Sequence, residues 1–302
     1  MQWSVQKRIE FIEARLYWEG KISRKNITDF FGISVPQATK DIKEYSAIAP
    51  DNIQYDASAK QYIATQDFNP KISSPSSEKY LTRLQLLQKK NNNNMFFNGT
   101  EPPFYVMPSL RRFVDTEVLR RILLIIRNNE AVKITYQSMS SPHPKVRWVI
   151  PHSLGNDGSR WHVRALCLNA KTYKDFNLGR VLSIKETTKH AFDHSIDYEW
   201  HNEIDMIIAP HPLLRDSPRS LIERDYCMEN GQITINIKAA FFYYYKLSLG
   251  FKDGHENFPP NEQQLILLNL KETKTKIDLL KSMTESRIKE MPERLIIDKN
   301  KK

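Results

Sequence analysis

Basic side chains are concentrated between residues 145 and 180, where seven Lys or Arg residues stand against two acidic ones. Successive side chains of a strand point to opposite faces, so Arg160, His162 and Arg164 should share one face of a strand over 160–168. Guanidinium groups bind anions through paired hydrogen bonds, and aromatic rings stack on bases. The pattern therefore predicts a site for an anionic nucleotide or a nucleic acid.

The predicted ligand site combines arginines, aromatic rings, histidines and one serine. Its members are Tyr136, Ser138, Arg147, His152, Arg160, Trp161, His162, Arg164, Phe176 and Arg180. The competing interpretation is a solvated face whose arginines are paired with acids. Only two acids, Asp157 and Asp175, are nearby in sequence, which is too few to pair with all of these arginines. We therefore favour the anion site.

A second set of polar side chains follows Ser34, a residue suited to capping a helix that continues through Tyr45. Glutamine can read an adenine edge, and lysines can neutralise phosphates. This set predicts contact with duplex DNA. The predicted DNA-contacting residues include two basic residues before this helix and one after it. They are Arg24, Lys25, Ser34, Val35, Gln37, Thr39, Lys40, Lys43 and Lys60.

The elements that would position this set form a winged helix-turn-helix. An apolar stripe of Val5, Ile9, Ile12 and Leu16 predicts a helix over 4–19, ended by Gly20. Two short helices follow, capped by Ser23 and Ser34, and the second buries Ala38, Ile42 and Tyr45. Alternation over 53–63 predicts a hairpin, the wing. Residues 1–70 carry nine basic and nine acidic residues, so a small helical bundle for protein contacts remains the alternative.

The rest of the chain predicts two further domains behind a Pro/Ser-rich connector. Helices are expected at 115–129, 239–249 and 275–289, and strands at 132–136, 146–150, 160–168, 176–184, 232–238 and 264–270. The closely spaced strands of the middle region indicate a small antiparallel barrel or sandwich. We expect domains at 1–68, 131–200 and 201–302, with a linker and connecting helices over 69–130. The aromatic run 241–245 is interpreted as core rather than as a dimer surface.

Several segments resemble known families. Residues 31–45 resemble the DeoR-type winged helix, with Lys40 where that family usually has Arg. Residues 134–138, 147–152, 159–167 and 176–180 resemble the WYL domain, an SH3- or Sm-like barrel, although His162 replaces the tyrosine of its Trp-Tyr-Leu motif. The C-terminal region is similar to the WCX extension. The resemblance implies an α+β multidomain regulator, a nucleotide-like ligand and dimerisation, and the domain order is similar to the BrxR/CapW group of phage-defence repressors.

No motif of catalysis, of a cofactor or of a zinc site is present. The one metal-like cluster in the sequence, His190, His194 and His201, is interpreted as surface residues rather than metal ligands. The chain lacks an apolar stretch of about 20 residues and a secretory signal, and its two cysteines suit a reducing cytoplasm. With a net charge of +10, the chain is predicted to be a homodimeric, DNA-binding repressor of an operator with an inverted repeat. The alternative is an accessory or nucleic-acid-processing protein whose barrel is the main binding site.

Overall fold

The computed structural model describes residues 4–87, 102–108, 110, 112–189 and 192–290. The predicted surface histidine His190 lies outside these residues. The chain divides into two compact units, Met1–Leu110 and Arg111–Lys302.

The first unit is the predicted winged helix-turn-helix, with three helices, a three-stranded sheet in the order β1-β3-β2, and a further helix. Its described elements are α1 (Val5–Glu19), β1 (Lys21–Ile22), α2 (Arg24–Phe31), α3 (Val35–Ile48), β2 (Ile53–Asp56), β3 (Gln61–Ala64) and α4 (Ser77–Leu87). The antiparallel pair β2 and β3 forms the wing.

The helix ends form where the sequence predicts them. The side chains of Ser23 and Ser34 accept hydrogen bonds from backbone N–H groups in the first turns of α2 and α3. Gly20 and Gly32 end α1 and α2 in the left-handed conformation, which favours glycine. The predicted core residues Ala38, Ile42 and Tyr45 are buried. The stripe of α1 begins at Ile9, however, because Val5 stands at the exposed first residue of the helix.

A buried carboxylate fastens the chain beyond the wing to α1. Glu13 is completely buried, and it accepts hydrogen bonds from the backbone N–H groups of Lys71, Ile72 and Ser73 at 2.7 to 3.3 Å. The Ser73 hydroxyl donates to it at 2.8 Å, and the Tyr45 hydroxyl at 3.4 Å. Burial, opposed by a hydrogen bond with Asn52 and reinforced by Glu13, raises the pKa of Tyr45 to about 12. Three successive amides thus replace the water that this carboxylate has lost.

The second unit contains a five-stranded sheet and a C-terminal α+β part with the sheet order β10-β9-β11. Its described elements are α5 (Thr116–Asn128), β4 (Glu130–Tyr136), β5 (Lys145–Asn156), β6 (Trp161–Cys167), β7 (Thr172–Asn177), β8 (Val181–Lys189), α6 (Tyr198–His201), β9 (Glu203–Pro210), α7 (Asp216–Asp225), β10 (Ile233–Lys238), α8 (Phe242–Ser248), β11 (Leu265–Leu267) and α9 (Leu270–Glu290).

The five-stranded sheet is antiparallel throughout, in the order β7-β6-β5-β4-β8, so the predicted fold class is confirmed. Two predicted strands need correction: 176–184 is two strands separated by a 3-10 turn at Leu178–Arg180, and the strand predicted over 264–270 is only Leu265–Leu267. The Asn177 side chain accepts a hydrogen bond from the Gly179 N–H and so starts the turn. In the C-terminal part, residues 239–241 form a 3-10 turn before α8, and α9 begins five residues earlier than predicted.

The two faces of the large sheet are covered by different elements. One face packs against α5 in a core that includes Ile122, Ile134 and Val163. On the other face, Ile150 and Leu166 belong to a cluster that also contains residues of the C-terminal part. That cluster consists of Ala131, Ile150, Leu166, Tyr173, Ile196 and Ile288. Gly155 lets the ring of Phe241 approach β5, since a Cβ at position 155 would collide with that ring.

Arg164 connects the covered face to the segment before β9. Its guanidinium group donates to both carboxylate oxygens of Asp197 at 2.8 and 2.9 Å, and it lies 3.3 Å from Asp175 and 3.3 Å from Glu199. The side chains of Arg164 and Asp197 are 5% and 0% exposed. Burial alone would raise the pKa of Asp197, but hydrogen bonds from Arg164 and His152 lower it to about 2. Burial raises the pKa of Glu199 despite Arg164.

We expect Arg164→Met to destabilise the chain by about 3–5 kcal/mol, because it leaves buried carboxylates without their counter-ion. Urea denaturation followed by circular dichroism measures the effect. The matched control is Arg120→Met, which removes an exposed arginine paired with Glu117 on α5 and should leave the free energy of unfolding nearly unchanged. Equal losses in the two variants would contradict the role given to Arg164.

Candidate nucleic-acid interface and ligand site

The outer side of α3 carries cations that are available to phosphates. Lys40 and Lys43 are exposed on this helix, Lys25 is exposed on α2, and Lys60 is exposed at the turn of the wing. In the described residues, none of these lysines forms an ion pair, and neither does the half-buried Arg24. Ser34 and Val35 are exposed at the start of α3. The phosphates of duplex DNA could therefore bind these cations without first breaking an ion pair.

A buried ion pair fixes α3 against α1 beneath this surface. Asp41 is completely buried, and its carboxylate accepts hydrogen bonds from Arg8 at 2.6 and 3.1 Å. The Gln37 side-chain amide donates to the same carboxylate at 2.8 Å. Gln37 is thus half-buried and held in one orientation. Within the described part of the chain, nothing else binds its amide oxygen or its second N–H, so both could pair with a base edge. The Thr39 hydroxyl, by contrast, donates to the backbone oxygen of Val35 at 2.9 Å.

The wing presents Lys60 from a turn with fixed geometry. The Asp56 carboxylate accepts hydrogen bonds from the backbone N–H groups of Ser58 and Ala59 at 2.9 and 3.1 Å. Lys60 itself adopts a positive φ of 51°, which completes the turn. The side chain of Lys60 is exposed at the end of the hairpin, as predicted.

The ten residues of the predicted ligand site do not form one open face. Arg160 lies in the turn before β6, and its Nε donates to Asp157 at 2.9 Å. His162 is 5% exposed, lies 3.0 Å from the same carboxylate, and packs against the ring of Tyr244. Burial would raise the pKa of Asp157, but hydrogen bonds from His162, from the backbone and from Arg160 lower it.

Arg164 and His152 are covered in the same way. Both bind Asp197, and Arg164 also binds Asp175 and Glu199. Arg160, His162 and Arg164 thus share one face, as alternation predicts, but acidic side chains and the ring of Tyr244 already pack on that face. Asp197 and Glu199 lie more than 30 residues beyond Arg164 in sequence, so proximity along the chain did not reveal them.

The remaining predicted residues lie toward the face of the sheet that packs against α5, or at the ends of strands. The rings of Tyr136 and Phe176 meet edge to face with centroids 5.1 Å apart, and the Tyr136 hydroxyl accepts a hydrogen bond from the Asn177 N–H. Tyr136 pairs in register with Val181, the residue after Arg180. Ser138 is half-buried two residues beyond Tyr136. Trp161 stands apart at the start of β6, opposite Asn156, and is 52% exposed.

Two of the predicted arginines, Arg147 and Arg180, have no acidic partner among the described residues. Arg147 pairs in register with Ile134, and its Nη1 lies 4.0 Å from the Cys167 sulfur. Its Nε is buried without a hydrogen-bond partner in the described part of the chain. Arg180 is half-buried, and neither arginine forms an ion pair with a described residue. An anion could supply the acceptor that the buried Nε of Arg147 lacks and could pair with Arg180.

Sequence reasoning missed the buried carboxylates that organise both units. The predicted sites included neither Asp41 nor Asp197, and Glu13 also went unnoticed. The sequence did contain one signal of buried charge. Arg8 stands next to Ile9, and Glu13 stands next to Ile12, and both isoleucines belong to the apolar stripe of α1. A charged residue at the edge of an apolar stripe requires a partner when it is buried. For Asp197, no comparable spacing exists in the sequence.

Comparison with known proteins agrees with this architecture. Three family models match: the winged helix-turn-helix domain of the BrxR transcriptional regulator over residues 4–86, the WYL domain over 117–186, and the C-terminal dimerization domain of the BrxR transcriptional regulator over 203–273. The DNA-binding transcriptional repressor CapW of Escherichia coli is 40% identical over 89% of this chain and 90% of its own length. CapW repressors of Pseudomonas aeruginosa and Stenotrophomonas maltophilia are 36% and 33% identical over 90% and 91% of this chain, and over 92% of their own lengths.

The chain belongs to the CapW family of DNA-binding transcriptional repressors. The predicted family is thereby confirmed, as are the winged helix, the WYL domain and a dimerization domain. The CapW relatives are named as transcriptional repressors, not as enzymes. In the described ranges, the structure contains no group of three or more potential metal ligands and no helix long and apolar enough to span a membrane.

We expect Gln37→Ala to lower stability by about 1.5–3 kcal/mol, because the buried Asp41 loses one donor, and to relax discrimination at one base pair by about 1–3 kcal/mol. Asp41→Asn should also destabilise the first unit by about 3 kcal/mol, because it leaves the buried Arg8 without a full counter-charge. Thermal denaturation and binding to a panel of single-base operator variants separate the two effects. Gln6→Ala, an exposed glutamine on α1, is the control. Unchanged base preference in Gln37→Ala would exclude Gln37 from base readout.

Proposed function

We propose that this chain is a homodimeric repressor that places α3 of each protomer in the major groove of an inverted repeat. The observation that carries the proposal is a set of lysines around α3 that form no ion pair with any described residue, namely Lys25, Lys40 and Lys43 with Lys60 on the wing. The N-terminal part of such a helix contacts base edges, and here it presents Ser34 and Gln37. A two-fold protein requires an operator with matching symmetry.

We further propose that an anionic nucleotide or nucleic acid bound by the WYL domain changes the affinity for the operator. Arg147 and Arg180 carry this part of the proposal, because their guanidinium groups lack acidic partners among the described residues. Tyr136, Ser138 and Phe176 complete the site. Arg164 is left out because its carboxylate partners already neutralise it.

The regulated genes are proposed to belong to a phage-defence operon. The support is the match to the BrxR winged helix and C-terminal models together with identity of 33–40% to CapW repressors. Purified chain would be used to select its preferred site from a pool of random duplexes. Recovery of an inverted repeat upstream of such an operon in the source genome is the expected result, and recovery of an asymmetric site would contradict the symmetric model.

We expect Lys40→Ala combined with Lys43→Ala to weaken operator binding and to lower the slope of log affinity against log salt by about 2. The reason is the loss of two phosphate contacts. Fluorescence anisotropy at several salt concentrations measures the slope. Lys7→Ala is the control, since Lys7 is an exposed lysine of α1 that is paired with Glu10. If the slope equalled that of the unmodified chain, the model in which α3 contacts the DNA would be excluded.

We expect Arg147→Ala and Arg180→Ala each to keep operator binding while abolishing the response to an anionic effector. Adenosine monophosphate and a 5′-phosphorylated DNA tetranucleotide are suitable probes, and the measured quantity is the change in operator affinity that they cause. Arg120→Ala on α5 is the matched control. If Arg147→Ala abolished duplex binding while the variant altered at Lys40 and Lys43 still bound, the accessory-protein alternative would replace the repressor model.

A further inference from the structure

A cavity of about 310 Å³ lies between the large sheet and the C-terminal part of the second unit. The sheet contributes Arg164 of β6 and Asp175 of β7, and the C-terminal part contributes Glu199 of α6, Tyr244 of α8 and Lys281 of α9. The cavity shares no residue with the surface of α3 or with the proposed anion site. Its volume suits a small molecule.

The deep part of this cavity has more carboxylates than cations. The side chains of Asp175 and Glu199 are 13% and 14% exposed, and both share the guanidinium group of Arg164 with the buried Asp197. One buried guanidinium group therefore serves three carboxylates. His152 does not supply the missing charge to Asp175 or Glu199, because the acid it binds is Asp197.

The lysines of the cavity stand at its mouth. Lys174 and Lys281 are exposed, and neither forms an ion pair with a described residue. Alternation along β7 directs the side chain of Lys174 away from the face that carries Asp175. Burial raises the pKa of Glu199, and Arg164 and Lys281 only oppose that rise. Glu199 thus has less counter-charge than an ionised, half-buried carboxylate requires.

Three tyrosines supply the other groups that an organic cation needs. Tyr173 lines the cavity and is 6% exposed, and its hydroxyl oxygen is buried without a hydrogen-bond partner among the described residues. An ammonium group has three N–H donors and no acceptor, so it can donate to this oxygen. Tyr243 and Tyr244 line the same cavity, and aromatic rings attract organic cations.

We propose that this cavity binds a small organic amine, whose ammonium group pairs with Glu199 and Asp175 and donates to Tyr173. The ligand touches β7 of the sheet together with α6 and α9 of the C-terminal part, so its binding holds these two parts together. An anion in the same place would lie beside the carboxylates and be repelled by them. The net charge of +10 disfavours amine binding elsewhere on the chain.

We expect putrescine to bind the full chain at one site per protomer and to raise its melting temperature. Glu199→Gln should weaken the binding by at least about tenfold, because a charge-assisted hydrogen bond is lost. Isothermal titration calorimetry without DNA measures the affinity. The matched control is Glu186→Gln, which changes an exposed carboxylate of β8 that is paired with Lys133 outside the cavity. Equal affinities in the two variants would overturn the assignment of the amine to this cavity.

A substitution at the mouth of the cavity tests the sign of the ligand's charge. Lys281→Ala should strengthen the binding of putrescine by about two- to threefold, because a competing cation is removed. Lys289→Ala, which changes an exposed lysine of α9 outside the cavity, is the control and should have no effect. Binding of inorganic phosphate that is lost in Lys281→Ala, or absence of binding by putrescine, spermidine and agmatine alike, would overturn the proposal.

Discussion

The arrangement of the second unit depends on one buried cation. Arg164 on β6 is surrounded by Asp175 on the neighbouring strand and by Asp197 and Glu199 from the segment before β9. An unpaired guanidinium group at this depth would be costly, so the sheet and the C-terminal part must remain together for the charge to be satisfied. This requirement couples the WYL sheet to the part of the chain that carries the dimerization domain.

The same principle operates in the DNA-binding unit, with the signs reversed. There the buried carboxylate of Asp41 is the centre, and Arg8 and Gln37 are its donors. The orientation of a side chain proposed to read bases is therefore set from inside the domain. In both units a buried charge fixes an element whose outer surface has a different task, which separates the residues that position a site from those that contact a ligand.

Local patterns made much of the fold predictable, while buried charges limited the prediction of the sites. Caps such as Ser23 and Ser34 act within three residues, so the sequence alone locates the first three helices. The strand predicted over 176–184 failed because the turn depends on one side-chain hydrogen bond from Gly179 to Asn177. The side chains of Arg160, His162 and Arg164 do share a face, but the acids that pair with them were not all predictable. Alternation shows which residues share a face, but it does not show what packs on that face.

The bonds to Glu13 also determine where the DNA-binding module can be separated from the rest of the chain. A chimeric repressor that joined a foreign sensor directly after the wing would lose the three amides of residues 71–73. Glu13 would then keep only the long hydrogen bond from Tyr45 in the centre of the module. A junction placed beyond Ser73 keeps those donors, so the transplantable unit is longer than its helices and hairpin.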